Sequence, residues 1–98
     1  MEFELRCKLT SKELQQRRST VIAELRKLVR TKEETQDGFR FGFESNDEIL
    51  DTLIDFIKSE RLCCEFFSFR LAISGDNAHL EITGPSGSKE FLEQEVGL

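Results

Sequence analysis

Apolar residues in this chain recur in two rhythms, every second residue and every third or fourth, and the two take turns. A period of two suits a strand with one buried face, and a period near 3.6 suits an amphipathic helix. Residues 2–9 alternate strictly. Phe3, Leu5, Cys7 and Leu9 fall on one side and Glu2, Glu4, Arg6 and Lys8 on the other, which predicts a half-buried first strand with Cys7 facing inward. Thr10-Ser11-Lys12-Glu13 then has the form of a capping box with Thr10 as N-cap. The stripe that follows, Leu14, Val21, Leu25 and Leu28, widened by Ile22 and Val29, predicts a helix ending near Lys32. A polar loop, Glu33 to Gly38, leads to a second strand in which Phe39, Phe41 and Phe43 alternate with Arg40, Gly42 and Glu44.

Ser45-Asn46-Asp47-Glu48 is a second capping box, and the helix after it is expected from about Asn46 to Cys63. Its apolar face holds Ile49, Leu53, Phe56, Ile57 and Cys64, and its outer face opens with Asp47, Glu48, Asp51 and Asp55. A third strand turns Phe67, Phe69, Leu71 and Ile73 inward. Gly75-Asp76-Asn77 is a turn, and a fourth strand, Ala78 to Thr83, turns Leu80 and Ile82 inward to complete an antiparallel hairpin. Gly84-Pro85-Ser86-Gly87 breaks the pattern before a short last helix, Ser88 to Glu95, anchored by Phe91 and Leu92. The order β-α-β-α-β-β-α, with every strand burying one face, predicts a single α+β domain over residues 1–98. Its architecture is a two-layer sandwich, a four-stranded sheet with the helices on one face. The other face, with Arg40, Arg70, His79 and Glu81 besides the polar residues of the first strand, is either solvated or a polar homodimer surface.

Composition narrows the function classes. Ninety-eight residues with net charge −5, and nine Phe but no Trp or Tyr, argue against nucleic acid as a partner. No apolar run has the length of a membrane span. Three cysteines, an odd number, make a poor disulfide framework, so a reduced cytoplasmic protein is expected. The first helix is basic, with Arg17, Arg18, Arg26, Lys27, Arg30 and Lys32, and the second is acidic outside. This contrast serves to pair the helices or to meet an acidic partner, with a solvated surface the plainer reading.

Chemistry concentrates where the second helix gives way to the third strand. Glu60 lies three and four residues before Cys63 and Cys64, so the three share one helix face. Glu60 is the one acidic residue of that helix on the apolar stripe. There it needs a cation, hydrogen-bond donors, a metal or a proton. Arg61 points roughly 100° away on an ideal helix and is a poor candidate. Thiolates from Cys63 and Cys64, with Cys7 as a third thiol and Glu60 as a carboxylate ligand or proton acceptor, suit a soft metal or metalloid ion. Zinc would want a fourth ligand, and His79 sits on the opposite sheet face. Adjacent cysteines are an awkward disulfide, because their Cα atoms are only about 3.8 Å apart. Against this stands plain packing, since a free cysteine behaves as a small hydrophobe. An enzyme, with one of these thiols as nucleophile and Glu60 as base, is the least favoured class, because no oxyanion site can be read.

The stretch Glu60-Arg61-Leu62-Cys63-Cys64-Glu65-Phe66-Phe67-Ser68-Phe69, preceded by Cys7-Lys8-Leu9-Thr10 and followed by Thr83-Gly84-Pro85-Ser86-Gly87, resembles a family of small uncharacterised bacterial proteins. Its members are built around Glu-Arg-x-Cys-Cys-Pro-Phe, with a cysteine in the first strand and a late Gly-Pro-x-Gly. The chain departs from that pattern at Glu65, where proline is common. The resemblance implies one domain, a bacterial source and the grouping of Cys7, Cys63 and Cys64; it implies no activity. The functional expectation is thiol-based binding of a soft metal or metalloid, or thiol sensing, through the Cys63-Cys64 pair. The alternative is a non-catalytic structural or interaction module, a homodimer with cysteines as core packing.

Overall fold

A computed structural model describes residues 11–98. The expected first strand and its Cys7 lie outside them, as does Thr10. The fold is α+β, and among the described residues it holds a four-stranded antiparallel sheet with the helices packed on one of its faces. From residue 11 onward the elements are α1 (Lys12–Leu28), β1 (Thr31–Glu34), β2 (Gly38–Glu44), α2 (Asp47–Cys63), β3 (Ser68–Ser74), β4 (Asn77–Thr83) and α3 (Ser88–Phe91). A π-helical turn, Leu92–Val96, continues α3 and ends at Gly97. The spatial order of the strands is β1-β2-β4-β3, so the β3–β4 hairpin places its second strand against β2.

Both long helices begin at an oxygen-bearing side chain that accepts a backbone N–H. Ser11 caps α1 by accepting from Leu14, and Asn46 caps α2 by accepting from Ile49 at 2.9 Å. In the second capping box the cap is therefore Asn46, one residue beyond Ser45. α1 stops at Leu28, four residues short of the expected end, because Val29 is already extended. Residues 31–34 form β1, four exposed residues at one side of the described sheet, where the end of the helix and the start of the polar loop were expected. It carries no apolar alternation because the backbone of β2 holds it in place. Its helix-side residues carry polar tips: Lys32 reaches Glu93, and Glu34 reaches Lys89.

The core lies between sheet and helices. Phe39, Phe41 and Phe43 from β2 and Ala78, Leu80 and Ile82 from β4 meet Val21, Ile22 and Leu25 of α1 and Ile49, Leu53 and Phe56 of α2, all buried. At about 25 cal/mol per Å² of apolar surface removed from water, these side chains carry most of the favourable folding energy. Two expected core positions are exposed instead. Ile73 sits at the far end of β3, the outermost described strand on its side of the sheet, and Leu14 sits in the first turn of α1, ahead of its buried face.

The β3–β4 connection is a two-residue turn, Gly75-Asp76, with Gly75 at φ +59°. Glycine at the first position of such a turn is what a tight hairpin requires. A methyl group at Gly75 would meet no atom, whereas one at Gly38 would run into the backbone carbonyl of Ile82. Gly75→Ala is therefore expected to cost about 1 kcal/mol from backbone conformation alone, with Gly75→Asn costing less. Gly38→Ala should cost clearly more, because β2 must move away from β4. Urea denaturation of the three variants checks the order, and equal costs for Gly38→Ala and Gly75→Ala would contradict it.

Candidate functional site

Reading each helix in steps of four and three shows how the site is positioned. On α1 the stripe begins at the exposed Leu14 and turns inward through Arg18, Val21, Leu25 and Leu28; on α2 the core-facing positions are Ile49, Leu53, Phe56, Glu60 and Cys63. Each stripe contains one charged residue. Arg18 stands near the start of α1 and Glu60 near the end of α2, and the two meet. Arg18 donates from Nε to Glu60 Oε2 at 2.9 Å and from Nη2 to Glu60 Oε1 at 2.8 Å, a two-pronged pair with both carboxylate oxygens engaged. Glu60 is completely buried, and the Arg18 side chain is 13% exposed. Burial works against the guanidinium charge, but the Glu60 hydrogen bonds and negative charge outweigh it and raise the Arg18 pKa above its ordinary value. An outer pair, Arg17 to Asp55 at 3.4 Å, joins the same two helices. The basic–acidic contrast of the two helices thus draws them together at two points.

Arg18 is the residue that pattern reading missed. Counting it only as part of a basic surface overlooked that it lies four residues after Leu14 and three before Val21, on the apolar stripe. A lone arginine on one buried stripe and a lone glutamate on the other are the signal that would have found the pair.

Cys63 closes α2, and Cys64 caps it by donating its backbone N–H to the Glu60 carbonyl at 2.7 Å. The Cys64 carbonyl then accepts from Phe67 N–H at 3.1 Å, making a turn with Glu65 and Phe66 at its centre. Glu65 occupies the position of such a turn that proline favours. The next residues are clamped by rings. Phe66 and Phe67 lie 4.6 Å apart, and both pack edge-on against Phe91 of α3, at 5.1 and 5.8 Å. Phe69 completes the set, meeting Phe67 and, across the core, Phe56 of α2. The junction bearing the cysteines is fixed on the helix side by the ion pair and on the strand side by this aromatic clasp.

Glu60, Cys63 and Cys64 are all fully buried, and their ligand atoms lie within 4.8 Å of one another. Cys64 Sγ is 3.5 Å from Glu60 Oε1 and 3.4 Å from Cys63 Sγ. Cys64 is a free thiol, and burial, then the negative charge of Glu60, push its pKa far above the ordinary value of 9.0. Cys63 is disulfide-bonded. This corrects the expectation of a wholly reduced chain: a sulfur in a disulfide is no thiolate ligand, so the S,S,O set exists for an ion only once Cys63 is reduced. Cys7 lies outside the described residues. His79 is on the opposite sheet face, away from the sulfurs. A groove of about 220 Å³ between α1 and α2 is lined by Leu14, Arg17, Asp55, Lys58, Ser59 and Leu62 and not by the sulfurs. Among the described residues no helix is long and apolar enough to cross a membrane.

Comparison with protein-family models, with curated proteins and with solved structures found no match to this chain.

The Cys64 environment has a measurable consequence. In the native, unreduced protein Cys64 should react with iodoacetamide at least about a hundredfold more slowly than in urea, since the thiolate fraction falls tenfold per pKa unit. A thiol whose pKa is raised on folding contributes stability that is whole below its unfolded value of about 9 and is lost as pH rises beyond it. The unfolding free energy measured in urea should therefore fall between pH 7.5 and pH 10 by about 1 kcal/mol more in the wild type than in Cys64→Ala. Equal losses would show that the Cys64 thiol is not shielded.

Proposed function

We propose that the Cys63–Cys64 junction is a thiol-state site of a small bacterial cytoplasmic protein, which takes a soft metal or metalloid ion when reduced. What carries this reading is the crowding of Glu60, Cys63 and Cys64 within 4.8 Å at a fully buried point closed by Arg18. A disulfide in a reducing compartment is transient and suited to sensing. A cellular dithiol would reduce it, gaining a disulfide itself and leaving one thiol at Cys63 and one at its disulfide partner, so that Cys63 then stands as a thiol beside the Cys64 thiol already present. On binding, Cys63 releases its proton to solvent and Cys64 passes its proton to Glu60, so the two sulfurs carry two negative charges toward the ion. Glu60 is already neutralised by Arg18 and serves best as the acceptor of the Cys64 proton. Coordination overcomes the raised Cys64 pKa, because a metal deprotonates a thiol that it binds. Soft sulfur ligands and no nearby histidine favour mercury(II) or trivalent arsenic over zinc, which prefers four ligands.

The burial of both cysteines and the protonated state of Cys64 favour a second reading, a non-catalytic module whose cysteines are core packing. Native mass spectrometry separates the two. Protein with and without prior reduction is mixed with mercury(II), arsenite or zinc. The site reading expects one ion per chain after reduction, much less before it, and none in Cys63→Ser/Cys64→Ser. If the reduced, folded protein binds no ion, or the double variant binds as well as the wild type, the packing reading stands.

A further inference from the structure

The face of the sheet away from the helices is covered by no described element, and its charges are arranged in an ordered row. Strand pairing aligns Glu33 of β1 with Arg40 of β2, Arg40 with Glu81 of β4, and Glu81 with Arg70 of β3. Across the sheet the signs run negative, positive, negative, positive. Glu33, Arg40 and Arg70 are exposed and Glu81 is half-buried. Among the described residues none of the four forms a side-chain ion pair within 4.0 Å, so their charges are not consumed inside the chain.

A row of this kind is complementary to itself. Under a two-fold axis lying in the face, parallel to the strands and between β2 and β4, each position is carried over the one mirrored across the axis. Glu33 then meets Arg70 of the second copy, and Arg40 meets Glu81 of the second copy, so all four contacts pair opposite signs. The next row fits the same operation. There Gly42 and His79 are cross-strand partners on β2 and β4, with Ala72 beside His79 on β3. The operation sets His79 of one copy over Gly42 of the other, a large side chain against the smallest residue. Two shallow depressions, each about 180 Å³, flank His79 on this face.

We propose that this sheet face is a homodimer surface, two copies packed face to face about that axis. Four strands about 4.8 Å apart, with up to seven residues of about 3.3 Å each, give a face of roughly 400 Å². That is about half the area per partner of a standard stable interface. The dimer is accordingly weak, concentration-dependent and weakened by salt, because exposed ion pairs are screened. It is independent of the thiol site, which lies on the helix side of the sheet.

Sedimentation equilibrium of the full chain, from about 10 µM to about 1 mM, tests the proposal at about 0.05 M and about 0.5 M NaCl. A monomer–dimer equilibrium is expected at low salt, weakening at high salt. Arg40→Glu should weaken it at least about tenfold, since it sets like charges together across the axis. Arg40→Glu/Glu81→Arg restores every opposite-sign contact and should recover the dimer, with circular dichroism confirming that both variants are folded. A monomer throughout, a dimer indifferent to Arg40→Glu, or no recovery in the double variant of a folded chain would overturn it.

Discussion

The buried pair of Arg18 and Glu60 is the interaction on which the arrangement of this chain depends. An isolated carboxylate at the end of α2, sealed from water, would cost several kcal/mol or take up a proton. Arg18 removes that cost with two parallel hydrogen bonds and leaves the carboxylate fully engaged. Apolar residues of similar volume can often replace a buried ion pair without loss, so raw stability is a weak account of why a charge sits here. The stronger account is register. Each helix has a stripe with one charged position, and the two charges can meet in only one alignment of α1 on α2. That alignment also fixes which residues close over the Cys63-Cys64 junction.

From this constraint the site follows in order. α2 cannot slide along α1, so its last turn delivers Glu60, Cys63 and Cys64 to one place. The turn after Cys64 cannot swing, because Phe66 and Phe67 are held against Phe91. Two sulfurs 3.4 Å apart and a carboxylate are thereby fixed in a dry environment, one sulfur a protonated thiol and the other in a disulfide. Burial makes the thiol quiet, and reduction at Cys63 would supply a second sulfur beside it. Under the proposed function, such a site would stay silent until its redox state changes.

Much of this was legible from spacing. Alternating phenylalanines gave β2, the Gly75-Asp76 turn gave the last hairpin, and the inward direction of Glu60 correctly demanded a partner. Other features left little trace. β1 is made of Thr31, Lys32, Glu33 and Glu34, whose side chains carry no apolar rhythm because backbone pairing with β2 and the salt bridges of Lys32 and Glu34 hold it in place. Strand order depends on how hairpins pack, which no local pattern encodes. Arg18 was visible but misjudged, since a charge amid other charges looks like surface until its place on the stripe is counted. The oxidised state of Cys63 could not be read from an odd number of cysteines.

The central claim is that Arg18 and Glu60 act on each other, holding α1 in register on α2 and shaping the thiol junction. A double-mutant cycle measures this directly, with Arg18→Met, Glu60→Gln and the double variant unfolded in urea at pH 7. The account predicts a coupling energy of at least about 2 kcal/mol, with the double variant more stable than the sum of the two single losses implies. A coupling near zero would contradict it and leave the two residues as independent occupants of the helix interface.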